Sequence, residues 1–183
     1  VVWLDVDPET RLVGLYVQDE YRARDRLALT AGLRYDHYSS FGDALNPRLA
    51  AVWSLAPEST LKLLYGRAFR APNAYEFYYE DGGVSAKVNP DLKPEEITTY
   101  EIVADRHFGP DWHASVAVFA NEVTNLISEV VDPADDLVYS ANLDRVRARG
   151  VECQVECQLA AAALARASVT WTRAEDRATG DLL

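Results

Sequence analysis

A chain of 183 residues is long enough for one domain with a substantial core, and its 49% apolar content excludes disorder by composition. A net charge of −11, with Lys and Arg scattered along the chain, excludes a nucleic-acid surface, which needs a basic face. No window approaches the ~18 continuous apolar residues of a spanning helix, so a membrane role would have to rest on strands, whose signal is alternation.

Alternation with a period of two dominates and predicts eight strands in an all-β chain. The first is Arg11–Tyr21, with Val13, Leu15 and Val17 on one face and Tyr16, Gln18 and Glu20 on the other. The second, Arg26–Tyr38, sets Leu27, Leu29, Ala31, Leu33 and Tyr35 against Thr30, Gly32, Arg34 and Asp36. The third and fourth are Pro47–Leu55 and Thr60–Phe69. The fourth ends in Arg67, Phe69, Arg70 and Pro72, as a strand leaving an apolar slab for water should. The fifth is Glu95–His107, the sixth runs from Trp112 to about Val130, and the seventh is Leu137–Leu159. The cleanest alternation lies at the end of the seventh, where Val151, Cys153, Val155, Cys157 and Leu159 oppose Glu152, Gln154, Glu156 and Gln158. The eighth is Leu164–Arg173. Helix signals are weak. Asn73–Tyr79 reads as a short loop turn, and Ala160–Ala163 is too short to stand alone.

The connections alternate. Tyr21–Arg26, Leu55–Thr60, His107–Trp112 and Leu159–Leu164 are short. Ser39–Asn46, Arg70–Pro94 and Val131–Asp136 belong to the other rim, and Arg70–Pro94 is very long. An up-and-down barrel with one plain and one elaborated rim gives that order. Several strands exceed ten residues, beyond the ~5–6 usual in soluble sheets. The polar face mixes Gly, Thr, Ser and Gln with Arg34, Asp36, Arg48, Glu152 and Glu156, which suits a hydrated lumen. Trp3, Trp53, Trp112, Trp171 and several tyrosines fall near strand ends, as an aromatic girdle would. Cys153 and Cys157 share a strand face about 13 Å apart, too far for a disulfide with each other. They lack the ligand spacing of a metal site and read as small apolar residues on a buried or lipid-facing side.

At GLRYD (Gly32–Asp36), NPR (Asn46–Arg48), YGRAFRAPN (Tyr65–Asn73) and NPDLKPE (Asn89–Glu95) the sequence resembles the barrel of TonB-dependent outer-membrane receptors, the siderophore and cobalamin transporters. TTYEIV (Thr98–Val103), NEVTNLI (Asn121–Ile127) and RARGVE (Arg147–Glu152) are similar too, and follow in the same order. The likeness covers Gly14 to Asp176. It implies part of a transmembrane barrel of roughly 22 strands, with outer-membrane lipid around it. It further implies a plug domain outside this chain, and a TonB-type energy-coupling protein engaged through that N-terminal region. The long loops would face the cell exterior of a Gram-negative bacterium and the short turns the periplasm. No cofactor is implied. The chain begins VVWLDVDPET without a leader and ends GDLL rather than in a terminal aromatic, so residues 1–183 are expected to be one internal segment of the barrel wall with the plug domain absent.

The resemblance also selects a ligand-facing loop. Arg70, Tyr75, Glu76, Tyr78, Tyr79, Glu80 and Asp81, with Phe77 among them, are the candidate ligand contacts. Aromatics stack on planar parts of a ligand, while charged groups fix its polar ones. Asp132, Asp135 and Asp136 in VDPADD offer three carboxylates to a calcium ion, but they are also ordinary turn residues. His37, His107 and His113 are the only histidines. His37 sits beside Asp36, but sequence neighbours in a strand point to opposite faces, and His107 and His113 flank a short turn and suit an interfacial position; no nucleophile elbow or phosphate loop occurs, so no enzyme is expected. The leading expectation is a segment of an energy-coupled receptor importing a scarce chelate, ferric siderophore or cobalamin-like. The alternatives are a soluble antiparallel β domain binding carbohydrate or protein, and a passive porin or adhesin barrel.

Overall fold

The computed structural model describes residues 9–143, 145–160 and 162–183. Trp3 lies outside them. The elements are β1 (Leu12–Arg24), β2 (Leu27–Tyr38), β3 (Gly42–Ala56), β4 (Ser59–Arg70), α1 (Ala74–Tyr78), β5 (Glu95–Phe108), β6 (Trp112–Thr124), β7 (Ile127–Val131), β8 (Val138–Asn142), β9 (Val146–Ala160) and β10 (Ala163–Asp176). Eight strands make one antiparallel sheet in the order β1-β2-β3-β4-β5-β6-β9-β10, and β7–β8 form a separate hairpin. The sheet is thus an open meander, a stretch of barrel wall in which β1 and β10 are the outermost strands among the described residues.

Register carries the alternation across the whole sheet. Val17 faces Leu33, Leu63 faces Ile102, Ile102 faces Val118, Val118 faces Val151 and Val151 faces Trp171. All lie on one face, because opposed residues in a ladder point the same way. That face is uncovered: Leu15 is 66% exposed, Val17 65%, Val169 67% and Trp171 63%. Among the described residues, the buried apolar side chains are only Ala44, Ala86, Leu92 and Cys157. A soluble sandwich buries its apolar face against a second layer. Here there is one layer with its apolar face outward, which overturns the soluble-domain alternative and fits a wall whose solvent on that side is lipid. Small Ala31 and Ala51 leave a shallow groove of about 730 Å³ on this face between Leu29, Leu49, Leu63 and Tyr65.

Two local features shape the wall. The β3–β4 ladder stops at Arg48↔Gly66, beside Pro47, which has no N–H to give it. At Gly150 an added Cβ would meet the Phe119 ring and the Trp171 carbonyl oxygen, so only glycine lets that ring lie over the strand.

The structure corrects four boundaries. The sixth predicted strand divides into β6 and β7 at Asn125, whose φ of 56° is the left-handed conformation that asparagine tolerates and a ladder does not. The seventh likewise divides into β8 and β9, so Asp132–Asp136 lies in a hairpin turn and not between two wall strands. The third begins at Gly42, which leaves only residues 39–41 to connect β2 to β3 where a longer loop was expected. Asn73–Tyr79, expected as a loop turn, contains the helix α1. A reciprocal capping box nucleates it, with Glu76 N–H donating to Asn73 Oδ1 (2.9 Å) and Asn73 N–H to Glu76 Oε2 (2.8 Å). Trp112 stands at the end of β6, Trp53 near the end of β3, and Trp171 farther inside β10.

Candidate functional site

Arg70, the last residue of β4, anchors the long-loop rim. Its guanidinium donates to Glu95 through Nε (2.6 Å) and Nη2 (2.8 Å), and to Glu76 of α1 through Nη1 (2.9 Å) and Nη2 (3.0 Å). Two carboxylates on one planar fork fix the helix to the wall in a single orientation. Glu95 Oε1 also accepts from the Ile127 N–H (2.9 Å), which ties in the first residue of β7.

The two elaborated loops then interlock. Val138 N–H donates to the Ser85 carbonyl (2.8 Å) and Lys87 N–H to the Val138 carbonyl (3.0 Å), so residues 85–87 add an extended segment to the β7–β8 hairpin. Asn89 Nδ2 donates to the Ser140 carbonyl (2.8 Å). Asn142 accepts from Lys93 N–H (2.7 Å) and donates to the Lys93 and Asn125 carbonyls (2.8 Å each). Lys87 pairs with Asp132 and, at 2.8 Å, with Asp135, and its ammonium lies 5.3 Å from the centre of the Tyr139 ring. The hydrogen bonds that Lys87 donates to Asp132 and then Asp135 raise its pKa, and the same contact lowers that of Asp132.

Between α1 and the hairpin lies a cleft of about 210 Å³, lined by Tyr75, Glu76, Tyr79, Lys87, Glu129 and Tyr139 among others. Tyr75 and Tyr79 are stacked, ring centres 4.4 Å apart, and burial raises the Tyr75 pKa. A space of this size suits one ring or sugar-sized group rather than a whole large ligand.

Of the sequence-predicted contacts, Tyr75, Glu76 and Tyr79 meet in this cleft. Arg70 is engaged with carboxylates behind it. Phe77 packs against Tyr78, ring centres 5.4 Å apart, and Tyr78, Glu80 and Asp81 do not line the cleft. Asp81 serves its own loop. It accepts from the N–H groups of Val84, Ser85 and Ala86 (3.0 Å each) and from Ser85 Oγ (2.5 Å), bonds that hold its carboxyl well below the usual carboxylate range. Asp132 and Asp135 both pair with the Lys87 ammonium; Asp136, with φ 60°, shapes the turn. Sequence reasoning missed Lys87, Glu129, Tyr139 and Ser140. The one available signal was Lys87, one of two lysines in a loop otherwise rich in acidic and aromatic residues.

The fold and the rim together are matched by known proteins. The family described as "TonB dependent receptor-like, beta-barrel" matches residues 3–183. The chain is 28% identical to the iron-regulated outer membrane virulence protein of Vibrio cholerae over 88% of its own length and 27% of that protein's. It is 26% identical to the ferrienterobactin receptor of Escherichia coli, over 96% of this chain and 26% of the receptor. Among solved structures, the siderophore receptor PirA of Pseudomonas aeruginosa superposes with a TM-score of 0.78 and 26% identity, covering 90% of this chain and 32% of PirA. The chain therefore spans about a third or less of the proteins it matches. From the uncovered apolar face, the alternating rims and these matches, the chain belongs to the TonB-dependent receptor β-barrel family, placed in the outer membrane of a Gram-negative bacterium.

Proposed function

We propose that this chain is one segment of the wall of an energy-coupled receptor that imports a scarce chelate, a ferric siderophore or a cobalamin-like compound. The observation that carries the reading is the similarity, over three-quarters of the chain or more, to relatives named for iron regulation, ferrienterobactin and vitamin B12 transport. The reading assigns a plug domain, and the contact with a TonB-type energy-coupling protein, to other parts of the whole receptor. The long-loop rim faces the cell exterior. There the cleft of Tyr75, Tyr79, Lys87 and Tyr139 takes one planar arm of the ligand by stacking. The chain's part is binding and enclosure, with no bond-making step.

The test uses the full-length protein in a deletion strain, supplied with radiolabelled ferric enterobactin or cyanocobalamin. The reading expects saturable uptake of one chelate, abolished by a protonophore. It also expects the double variant Tyr75→Ala/Tyr79→Ala to bind that chelate about tenfold more weakly, equivalent to roughly 1.4 kcal/mol. Uptake that neither saturates nor needs energy would mark a passive pore and sink the reading.

A further inference from the structure

At the long-loop end of β2 and β3 the apolar face changes character. Leu33 is followed on that face by Tyr35 and His37, and across the ladder Tyr35 is paired in register with Leu45 and His37 with Asp43. His37 Nδ1 lies 2.7 Å from Asp43 Oδ1, and the Tyr35 hydroxyl reaches diagonally to donate to the same oxygen, also at 2.7 Å. An imidazole nitrogen, a phenol oxygen and a carboxylate oxygen thus meet at one point. Only residues 39–41 separate β2 from β3, so the ladder holds all three donors on one tight hairpin.

Several carboxylates of the wall are answered by permanent cations: Asp36 by Arg34, Glu96 by Arg67, Asp105 by Lys62 and Glu156 by Arg166. Among the described residues, the ion partner of Asp43 is His37, with no Lys or Arg beside it. A histidine also approaches a carboxylate at the short-turn rim, where His113 Nε2 lies 3.3 Å from Asp105, but that carboxylate is shared with Lys62 at 2.8 Å. At the long-loop rim, Val13 stands opposite His37 and Leu45 opposite Tyr35, so apolar residues border the polar group. The His37 and Asp43 side chains are 53% and 62% exposed, open to an ion arriving from water.

We propose that Tyr35, His37 and Asp43 form a surface site for a divalent first-row transition ion, Cu²⁺ foremost. Imidazole together with oxygen donors suits copper in tetragonal geometry, and Cu²⁺ stands highest in the affinity order of the divalent series. Donors at right angles on metal–ligand bonds of about 2.0–2.1 Å stand about 2.9 Å apart. The two 2.7 Å separations therefore need to open only slightly to admit the ion. His37 binds through Nδ1 with its proton on Nε2, and the Tyr35 phenol releases its proton to water as the phenolate–copper bond forms. No electron moves, and water fills the remaining positions. The site stands on the wall itself and rests on no choice of chelate.

The test is titration of the full-length protein in neutral detergent with Cu²⁺ alone, in a Cys153→Ala/Cys157→Ala background, followed by electron paramagnetic resonance and visible absorption. The expected result is a saturable copper with nitrogen and oxygen ligands and a phenolate-to-copper charge-transfer band. Tyr35→Phe should abolish the band. His37→Gln and Asp43→Asn should each weaken binding of that ion by about tenfold or more, since even the loss of a group that only orients a ligand has such an effect. The control His107→Gln/His113→Gln should leave the band and the affinity unchanged. Heat-modified gel mobility verifies that each variant is folded. Absence of the band in the parent protein overturns the proposal, as does a band that persists in folded Tyr35→Phe. Equal affinity for the parent and folded His37→Gln overturns it too. Chelate uptake plays no part in these readouts, so the site and the transport reading stand or fall separately.

Discussion

Along the sheet, neighbouring strands repeat a single rule: alternate residues go to lipid and to the lumen, and any of several apolar side chains satisfies it. At the rim the chain follows no period. Residues 71–94 are fixed to the wall by Arg70 with Glu76 and Glu95, and to the β7–β8 hairpin by Asn142 with Lys93, Asn89 with Ser140 and Lys87 with Asp132. The wall is held by ladder bonds and burial in lipid, the rim by side-chain fits that nothing else can replace. The contrast assigns tolerance of hydrophobic substitution to the wall and sensitivity to single polar atoms to the rim.

The strongest challenge to the wall is a charge on its apolar face. Val118→Arg in the full-length protein should lose about 2–4 kcal/mol of stability if that face meets hydrocarbon, read as the urea midpoint of refolding into lipid vesicles. Val118→Leu should fold like wild type. On the lumen side, Gly150→Val should cost about 1–3 kcal/mol, because Phe119 and the Trp171 carbonyl leave no room for the new side chain. The same refolding assay measures it, and a neutral outcome would mean that the ring moves aside freely.

The wall was legible in the sequence because its rule is local. Val151, Cys153 and Val155 announce a face without reference to any partner. The sixth and seventh strands were joined too far because Ile127–Val131 and Val138–Asn142 alternate as well as any wall strand. What separates them is a backbone reversal at Asn125, whose only trace is one residue type. The candidate cleft was half legible. Tyr75, Glu76, Tyr79 and Lys87 come from one loop, but Glu129 and Tyr139 join them from the β7–β8 hairpin, held by long-range contacts such as Lys87 with Asp132, 45 residues apart. The Asn73–Glu76 capping box was readable and marks α1, although its five residues are too short for periodicity to show.

Smaller effects sharpen the rim. Asn142→Ala removes three bonds and should lower the local stability of residues 89–93 by about 1 kcal/mol, seen as faster amide exchange there while the wall strands stay protected. Uniform acceleration across the wall would deny that the rim is a separate unit. The pH response has a defined sign. Asp81 and Asp132 have lowered pKa values, so what they contribute is present above the ordinary carboxylate pKa and is lost as pH falls below about 4. Lys87 has a raised pKa, so its contribution persists below about 10 and fades above that. Exchange in residues 81–87 should therefore stay slow through neutral pH, after correction for the intrinsic rate, and open at both extremes.

The central claim is directional: one rim outside, one inside, with an apolar wall between. Impermeant maleimide labelling of intact cells tests it, in a full-length background carrying Cys153→Ala and Cys157→Ala. Glu80→Cys, on the long-loop rim, should label on whole cells. Glu58→Cys, in the β3–β4 turn, should label only after the outer membrane is permeabilised. Labelling of Glu58→Cys on intact cells while Glu80→Cys stays protected would contradict the account.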